Sequence, residues 1–365
     1  MRIDEIVLRT VRVPLKRPYK LSYRTFTDFE PIIVEMRSRD GPIGWGEGHI
    51  SPGSSSETRE GGWQFCRRYA EKIVGRDTAD AMAILSSAMH ESKVAATALF
   101  TAIEMLEGEL LLEAGEDARL PLLAPVNATD ESEIADEIEQ RIAEGFRTFK
   151  IKVGNDAAAD TKRVRAIQTA VDGRATLRID ANRAYVESDA IAFATALDPE
   201  GIELFEQPCK AEDWDTNANV ARVSPVPVML DEPICAIADI ERAGQIENVG
   251  FCKLKLKRFG GIQRLHEALN AVRAHCMEPV LGDGLGLDIA CWMEAAIART
   301  TIRNAGEFNG FLKARASLFE EPMKFENGDL ILKRGFVPRI DRAALKAHEV
   351  AIERFAPVTV SSAPQ

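Results

Sequence analysis

Seven ionisable side chains recur at a near-even interval along the middle of this chain: Lys152, Asp180, Glu206, Asp231, Lys255, Asp283 and Glu307, spaced 24 to 28 residues apart. The first belongs to TFKIKVG (148–154), where Lys150 and Lys152 alternate with Phe149, Ile151 and Val153. Such alternation describes a strand with one apolar face, and both ammonium groups then share the other. Two ammonium groups side by side repel and lose hydration on burial, so they call for charges of opposite sign. Asp180, Glu206 and Asp231 supply three carboxylates from consecutive segments. Brought together unpaired, these would raise one another's pKa. A hard divalent cation resolves the conflict, and an all-oxygen set with room for water and substrate suits Mg²⁺.

Lysines flank the trio in sequence. Lys150 and Lys152 precede it, and Lys253, Lys255 and Lys257 follow it in FCKLKLKRFGG. That order suits removal of the α-proton of a carboxylate, because a bound metal stabilises the enediolate that forms. The base must be neutral to act, and a neighbouring cation such as Lys150 disfavours the protonated form of Lys152. A lysine on the far side can return a proton to the other face or stabilise negative charge. Taken singly, KIK also fits a solvated sheet face, and each acid of the trio also fits a helix N-cap. Capping leaves the flanking lysines unexplained.

The elements that must position these residues follow from the pattern. Residues 1–118 read as an α+β domain: strands through about residue 50, a Gly/Ser-rich turn, then helical spacing from about 57 to 114. From 119 to 324, short apolar runs alternate with amphipathic segments, with runs at LLAPVNA, FKIKVG, TLRIDAN, IELFEQP, VPVMLDEP, GFCKLKL, EPVLGDG and RNAGEF. Eight such units predict an α/β fold with a (β/α) barrel, whose sites lie at the C-terminal ends of the strands. The charged ring falls at those ends. Residues 325–365 return to a strand-turn pattern and are expected to pack back on the first domain.

K-x-K on the second barrel strand, D-A-N on the third, E-Q-P on the fourth, D-E-P on the fifth and KLKRFGG on the sixth together resemble the muconate-lactonizing subgroup of the enolase superfamily. The resemblance spans nearly the whole chain. It implies a modified (β/α)7β TIM-like barrel with an N-terminal α+β capping domain. It also implies Asp180, Glu206 and Asp231 as Mg²⁺ ligands, Lys152 and Lys255 as paired acid/base residues, and Lys150 as their electrostatic neighbour. Lys255 is preferred over Lys253 because K-x-x-[KR]-x-G-G aligns on it, with Arg258, Gly260 and Gly261 following. The seventh-strand histidine of the mandelate-racemase subgroup is missing from EPVLGDG. Dipeptide epimerases of this subgroup place D-x-D at the eighth strand to hold the substrate's ammonium. Here Glu307 and Asn309 stand in similar positions with altered chemistry, which weakens the case for a dipeptide substrate.

Asp283 in GDGLG fits either a substrate contact or a cap, His49 on a capping loop either a substrate contact or a surface histidine, and Tyr19 with Tyr23 and Phe26 marks a lid that supplies an aromatic wall. The GDGLG run is a strand-to-helix turn and not a nucleotide loop, since Asp283 would repel phosphate. The expected partner is a small-molecule carboxylate. The reactions in contention are racemisation or epimerisation of an amino-acid-derived acid, and cycloisomerisation or elimination on the same site. A barrel retained only as a binding module is the remaining class. Net charge of −11 and a pI near 5.2 argue against a nucleic-acid partner, which would need a basic footprint. No apolar run reaches a membrane span, and the opening residues lack a signal-peptide core. The six cysteines form no C-x-x-C pair and the five histidines are scattered, which argues against zinc and for a reduced, cytoplasmic protein. A homo-oligomer is expected.

Overall fold

The opening residues form two strands, with Arg12 between them. β1 (Glu5–Val11) is almost wholly buried, whereas β2 (Val13–Lys20) alternates buried and exposed positions along its first half. The segment expected as a lid forms a hairpin: β3 (Thr25–Phe29) pairs antiparallel with β2, Tyr19 opposite Phe26 and Lys20 opposite Thr25. The computed structural model describes residues 1–21, 24–39 and 41–357, so Tyr23 lies outside the described residues.

β4 (Ile32–Arg37) and β5 (Ile43–Gly48) continue the first sheet, and three helices follow: α1 (Arg59–Ile73), α2 (Thr78–Ala88) and α3 (Lys93–Leu106). Thr58 caps α1 through Gly61 N–H, and Ser92 caps α3 through Ala95 N–H. α3 lies directly on β5. A Cβ at Gly46 would stand 1.9 Å from the Ala98 carbonyl oxygen, so only glycine permits this approach.

Glu35 on β4 is fully buried and accepts from three arginines: Arg9 at 2.9 Å, Arg37 at 2.7 Å and Arg342 at 2.7 Å. Burial alone would raise its pKa, but these hydrogen bonds hold it down to about 2. The folded-state pKa is thus depressed below the ordinary 4.5. Its stabilising contribution is complete above that value and is lost as pH falls toward 2. Glu35→Gln is expected to cost about 3 kcal/mol near neutral pH. That cost should shrink through this acid window in urea denaturation curves. An equal cost at pH 7 and pH 2.5 would refute the linkage.

The second half alternates strand and helix. β6 (Ala118–Pro121) and β7 (Ala124–Val126) lead into α4 (Glu131–Ala143), β8 (Thr148–Lys152), α5 (Ala157–Val171), β9 (Thr176–Asp180) and α6 (Glu187–Thr195). Then come β10 (Ile202–Glu206), α7 (Trp214–Val223), β11 (Val228–Leu230), α8 (Ile237–Ala243), β12 (Val249–Leu254), α9 (Leu256–Phe259) and α10 (Ile262–Ala274). β13 (Glu278–Leu281), α11 (Asp288–Thr301) and the short α12 (Gly310–Lys313) complete it.

β7 through β13 form one parallel sheet in chain order. RNAGEF, expected as the eighth strand, makes only an isolated bridge between Gly306 and Leu122. The chain turns at once after Glu307, Asn309 N–H donating to the Glu307 carbonyl at 2.8 Å, so no ladder can extend. The segment still closes the barrel: Gly306 N–H bonds Pro121 O at 2.8 Å and Glu307 N–H bonds Leu281 O at 2.8 Å. Gly282, at φ +105°, permits this closure, since a Cβ there would meet Phe308 N at 2.4 Å.

The tail supplies β14 (Lys324–Glu326), β15 (Asp329–Leu332), α13 (Arg342–Ala347) and β16 (Glu349–Phe355). β15 pairs with β6, and β16 pairs antiparallel with β1 at the sheet edge. The result is a TIM-like barrel capped by a strand-rich N-terminal part. Two buried glutamates of that part cap barrel helices: Glu47 accepts from Leu287 N–H (2.6 Å) and Ala290 N–H (3.0 Å), and Glu104 from Ile262 N–H (2.7 Å) and Gln263 N–H (3.2 Å). β2 is tied to the residues after the eighth position by Arg315 N–H to Pro14 O at 2.9 Å and Lys16 Nζ to Leu312 O at 3.0 Å.

Candidate active site

On β8 the side-chain alternation resolves as expected. Phe149 and Ile151 are fully buried against the helical layer, while Lys150 and Lys152 point into the barrel. Register then lines up the acids. Lys152 pairs across to Asp180, and Asp180 to Glu206, so these three are lateral neighbours at the strands' C-terminal edge. Asp231 is one residue beyond β11, its N–H held by the Gln207 side-chain oxygen at 2.9 Å. Lys255 is one residue beyond β12.

The Lys150 ammonium sits among three carboxylates, 2.9 Å from Asp180 Oδ2, 2.7 Å from Glu206 Oε2 and 3.1 Å from Glu307 Oε2. Burial would lower its pKa, but Asp180, Glu206 and Glu307 raise it well above the ordinary range, so it is a fixed cation. Lys152 donates to Asp180 Oδ2 at 2.5 Å and to Asn182 Oδ1 at 2.6 Å. Lys255 donates to Asp231 Oδ2 at 2.9 Å, and Arg258 to Asp231 Oδ1 at 2.9 Å. Burial pushes Asp231 upward, yet Arg258, Lys255 and Lys253 hold it well below the usual carboxylate range.

Glu206 is the under-compensated member. Burial, followed by the Asp180 charge, raises its pKa. Its Oε2 is buried, and its one close contact is the ion pair with the Lys150 ammonium at 2.7 Å. An orphaned carboxylate oxygen between two further carboxylates is a donor set that a divalent cation suits. Among the described residues, however, no three His, Cys, Asp or Glu side chains are gathered closely enough to hold a metal. The Lys150 ammonium stands between Asp180 and Glu206 instead.

The other expected residues divide. Asp283 lines the cavity, pairs with Lys257 and caps the turn through Leu285 N–H at 2.8 Å. Glu307 lines it and pairs with Lys150 and Lys253, which, after the opposing effect of burial, hold it well below the usual range. Lys255 is on the wall, and Lys253 lies deeper, beneath Glu307. Tyr19 is on the wall, carried by β2.

Asn309 and His49 do not reach the wall. Asn309 is buried, donating to Leu123 O at 3.0 Å and accepting from Lys313 at 2.5 Å. His49 is buried beside Phe26 and Phe29, ring centroids 6.0 and 5.2 Å away, and burial lowers its pKa to about 3. Apolar packing takes it into the core, and Phe26 goes with it instead of forming the lid. Sequence reasoning assigned no role to Glu232, whose partner is Arg183 at 3.2 Å, although both flank recognised motif positions. Lys313 carried no signal at all.

The family model described as "Enolase C-terminal domain-like" matches residues 133–336, and that described as "Mandelate racemase / muconate lactonizing enzyme, N-terminal domain" matches residues 3–123. The chain belongs to the mandelate racemase/muconate lactonizing enzyme family. As a member it is an enolase-superfamily enzyme, and its relatives are named racemases, epimerases and cycloisomerases. It is 30% identical to an o-succinylbenzoate synthase of Geobacillus stearothermophilus, over 83% of each chain. It is 26% identical to an N-succinyl-L-Arg/Lys racemase of Bacillus cereus, over 72% of this chain and 74% of that one. The crystal structure of a dipeptide epimerase from Cytophaga hutchinsonii, complexed with Mg and D-Ala-L-Val, matches the fold with a TM-score of 0.87. That match covers 97% of this chain and 99% of the other at 22% identity.

Proposed function

We propose that this family member is a Mg²⁺-dependent racemase or epimerase that removes and returns the α-proton of a small, amino-acid-derived carboxylate. One observation carries this above the rest. Lys152 and Lys255 engage different members of the carboxylate set, Asp180 at 2.5 Å and Asp231 at 2.9 Å, and the β10 strand that bears Glu206 runs between their strands. Lysines on two sides of one anchoring point suit transfer of a proton off one face and onto the other.

Asp180, Glu206 and Asp231 would hold the Mg²⁺ ion. When bound, the ion supplies charge that polarises the substrate carboxylate and acidifies the α-carbon. Lys152 and Lys255 hold or release a proton at Nζ. Lys150, kept charged by its carboxylates, stands beside Lys152 as a fixed positive charge. The Mg-containing epimerase structure and the orphaned Glu206 oxygen support the metal assignment.

A second reading, cycloisomerase or β-eliminating lyase, is favoured by the similarity to o-succinylbenzoate synthase. There one lysine moves the proton and the other stabilises charge. The division into a cap (1–118), a barrel (119–324) and a returning segment (325–365) belongs to the same proposal, as do a homo-oligomeric state and a cytoplasmic setting. The six free cysteines support the last. Among the described residues no helix is long and apolar enough to cross a membrane.

The test is proton–deuterium exchange in D₂O with Mg²⁺ against a panel of chiral carboxylates. Exchange at the α-carbon with inversion is expected for at least one acid. Exchange confined to one enantiomeric face, with a product of changed connectivity, would hand the function to the second reading.

A further inference from the structure

The two helices that follow Lys255 have no caps of their own. Lys255 is the N-cap of α9 but commits its side chain to Asp231, and Gly261, the N-cap of α10, has no side chain. The N–H groups at both helix starts would be orphaned in the interior without outside partners. Two buried glutamates supply them. Glu294 on α11 accepts from Leu256 N–H at 3.0 Å. Glu104 on α3 accepts from Ile262 N–H at 2.7 Å and Gln263 N–H at 3.2 Å. A Cβ at Gly261 would lie 2.9 Å from Glu104 Oε1, so glycine gives this carboxylate room.

The segment 255–261 is thus gripped at each end. One grip comes directly from the cap, and the other runs through α11, whose own start is held by Glu47 of β5. Neither Glu104 nor Glu294 lines the cavity at the barrel mouth, so both act at a distance. Lys152 is held differently. It belongs to β8, in register with Asp180 on β9, and Arg163 of α5 donates to its carbonyl oxygen at 2.8 Å. Those partners all belong to the barrel.

We propose that Glu104 and Glu294 are positioning residues for Lys255, and that the cap thereby governs proton transfer on one face of the substrate only. The proposal rests on the two-base reading for its chemistry and on the two carboxylates for the placement. Burial, followed by the Asp283 charge, pushes Glu294 up to about 8, and burial pushes Glu104 up to about 7. Their hold on the N–H groups therefore needs an acceptor oxygen more than a negative charge, and glutamine also provides one.

α-Proton exchange in D₂O with Mg²⁺ tests this on full-chain Glu104→Leu and Glu294→Leu protein. The probes are D- and L-N-acetylalanine or, if these are inert, both enantiomers of whichever acid in the panel exchanges. The enantiomer served by Lys255, identified as the one that Lys255→Ala silences, should lose on the order of 10²-fold in rate. The enantiomer served by Lys152 should keep its rate. Glu104→Gln and Glu294→Gln should restore both. Amide hydrogen exchange, read by mass spectrometry without substrate, should show lost protection over 255–263 and unchanged protection over 148–152. Where a leucine variant fails to fold, Glu104→Asp or Glu294→Asp, with its shorter reach, should give the same one-sided loss. Equal losses for both enantiomers in folded variants overturn the proposal. So does glutamine that performs no better than leucine, or exchange unmoved by any of the substitutions. If the unmodified chain exchanges neither enantiomer of any acid, the α-proton reading falls by itself. Amide protection then decides the rest: selective loss over 255–263 leaves the positioning standing, and unchanged protection overturns it.

Discussion

Lys152→Ala protein should lose α-proton exchange from one enantiomer of its substrate by on the order of 10²–10⁴ in rate, while retaining part of the exchange from the other. Lys255→Ala should show the reciprocal pattern. The expectation comes from where the two amino groups are held. Lys152 Nζ is fixed by Asp180 and Asn182, and Lys255 Nζ by Asp231, so removing one leaves the other on its own carboxylate. NMR of the α-proton signal, run on each enantiomer separately, reads both rates. Should one variant abolish exchange of both enantiomers while the other keeps exchange and loses turnover, the two-base mechanism is wrong and a one-base elimination or cyclisation replaces it.

Loss of metal affinity is the second large effect expected. Asp231→Asn removes a formal charge from a carboxylate whose two oxygens already hold Lys255 and Arg258. Altering a group that merely orients a ligand costs about 10–100-fold in metal affinity, and removing a ligand's charge should cost at least the upper figure. Calorimetric titration with Mg²⁺ checks the affinity, and circular dichroism checks that the variant is folded. Exchange activity should vanish in parallel, since the substrate carboxylate loses its anchor. Undiminished Mg²⁺ affinity in folded Asp231→Asn protein would remove Asp231 from the ligand set.

Much of the barrel was readable because its rules are local. K-I-K announces its faces by alternation, and D-A-N, E-Q-P and D-E-P mark strand ends at an interval one strand and one helix must occupy. Parallel register does the rest, carrying Lys152, Asp180 and Glu206 to adjacent positions. What stayed hidden depends on pairs distant in sequence. Lys253 beneath Glu307, Glu104 at the start of α10 and Lys313 behind Tyr19 each join segments that no window spans. Strand propensity overstated RNAGEF because the turn at Glu307–Asn309 is a tertiary fit. His49 misled for the opposite reason: a histidine near a loop looks available, yet two phenylalanine rings enclose it.

The pairing of β16 with β1 fixes the order in which this molecule can be completed. During synthesis β1 leaves the ribosome first, meets β4 on one side, and must hold its other edge bare until nearly all of the barrel has been made. A naked strand edge is a template for pairing with other chains. The nascent cap is therefore exposed to association for most of the time it takes to translate the catalytic half. A chain stopped before Glu349 would keep its site residues yet carry that open edge permanently, and its failure would be one of solubility before it was one of chemistry.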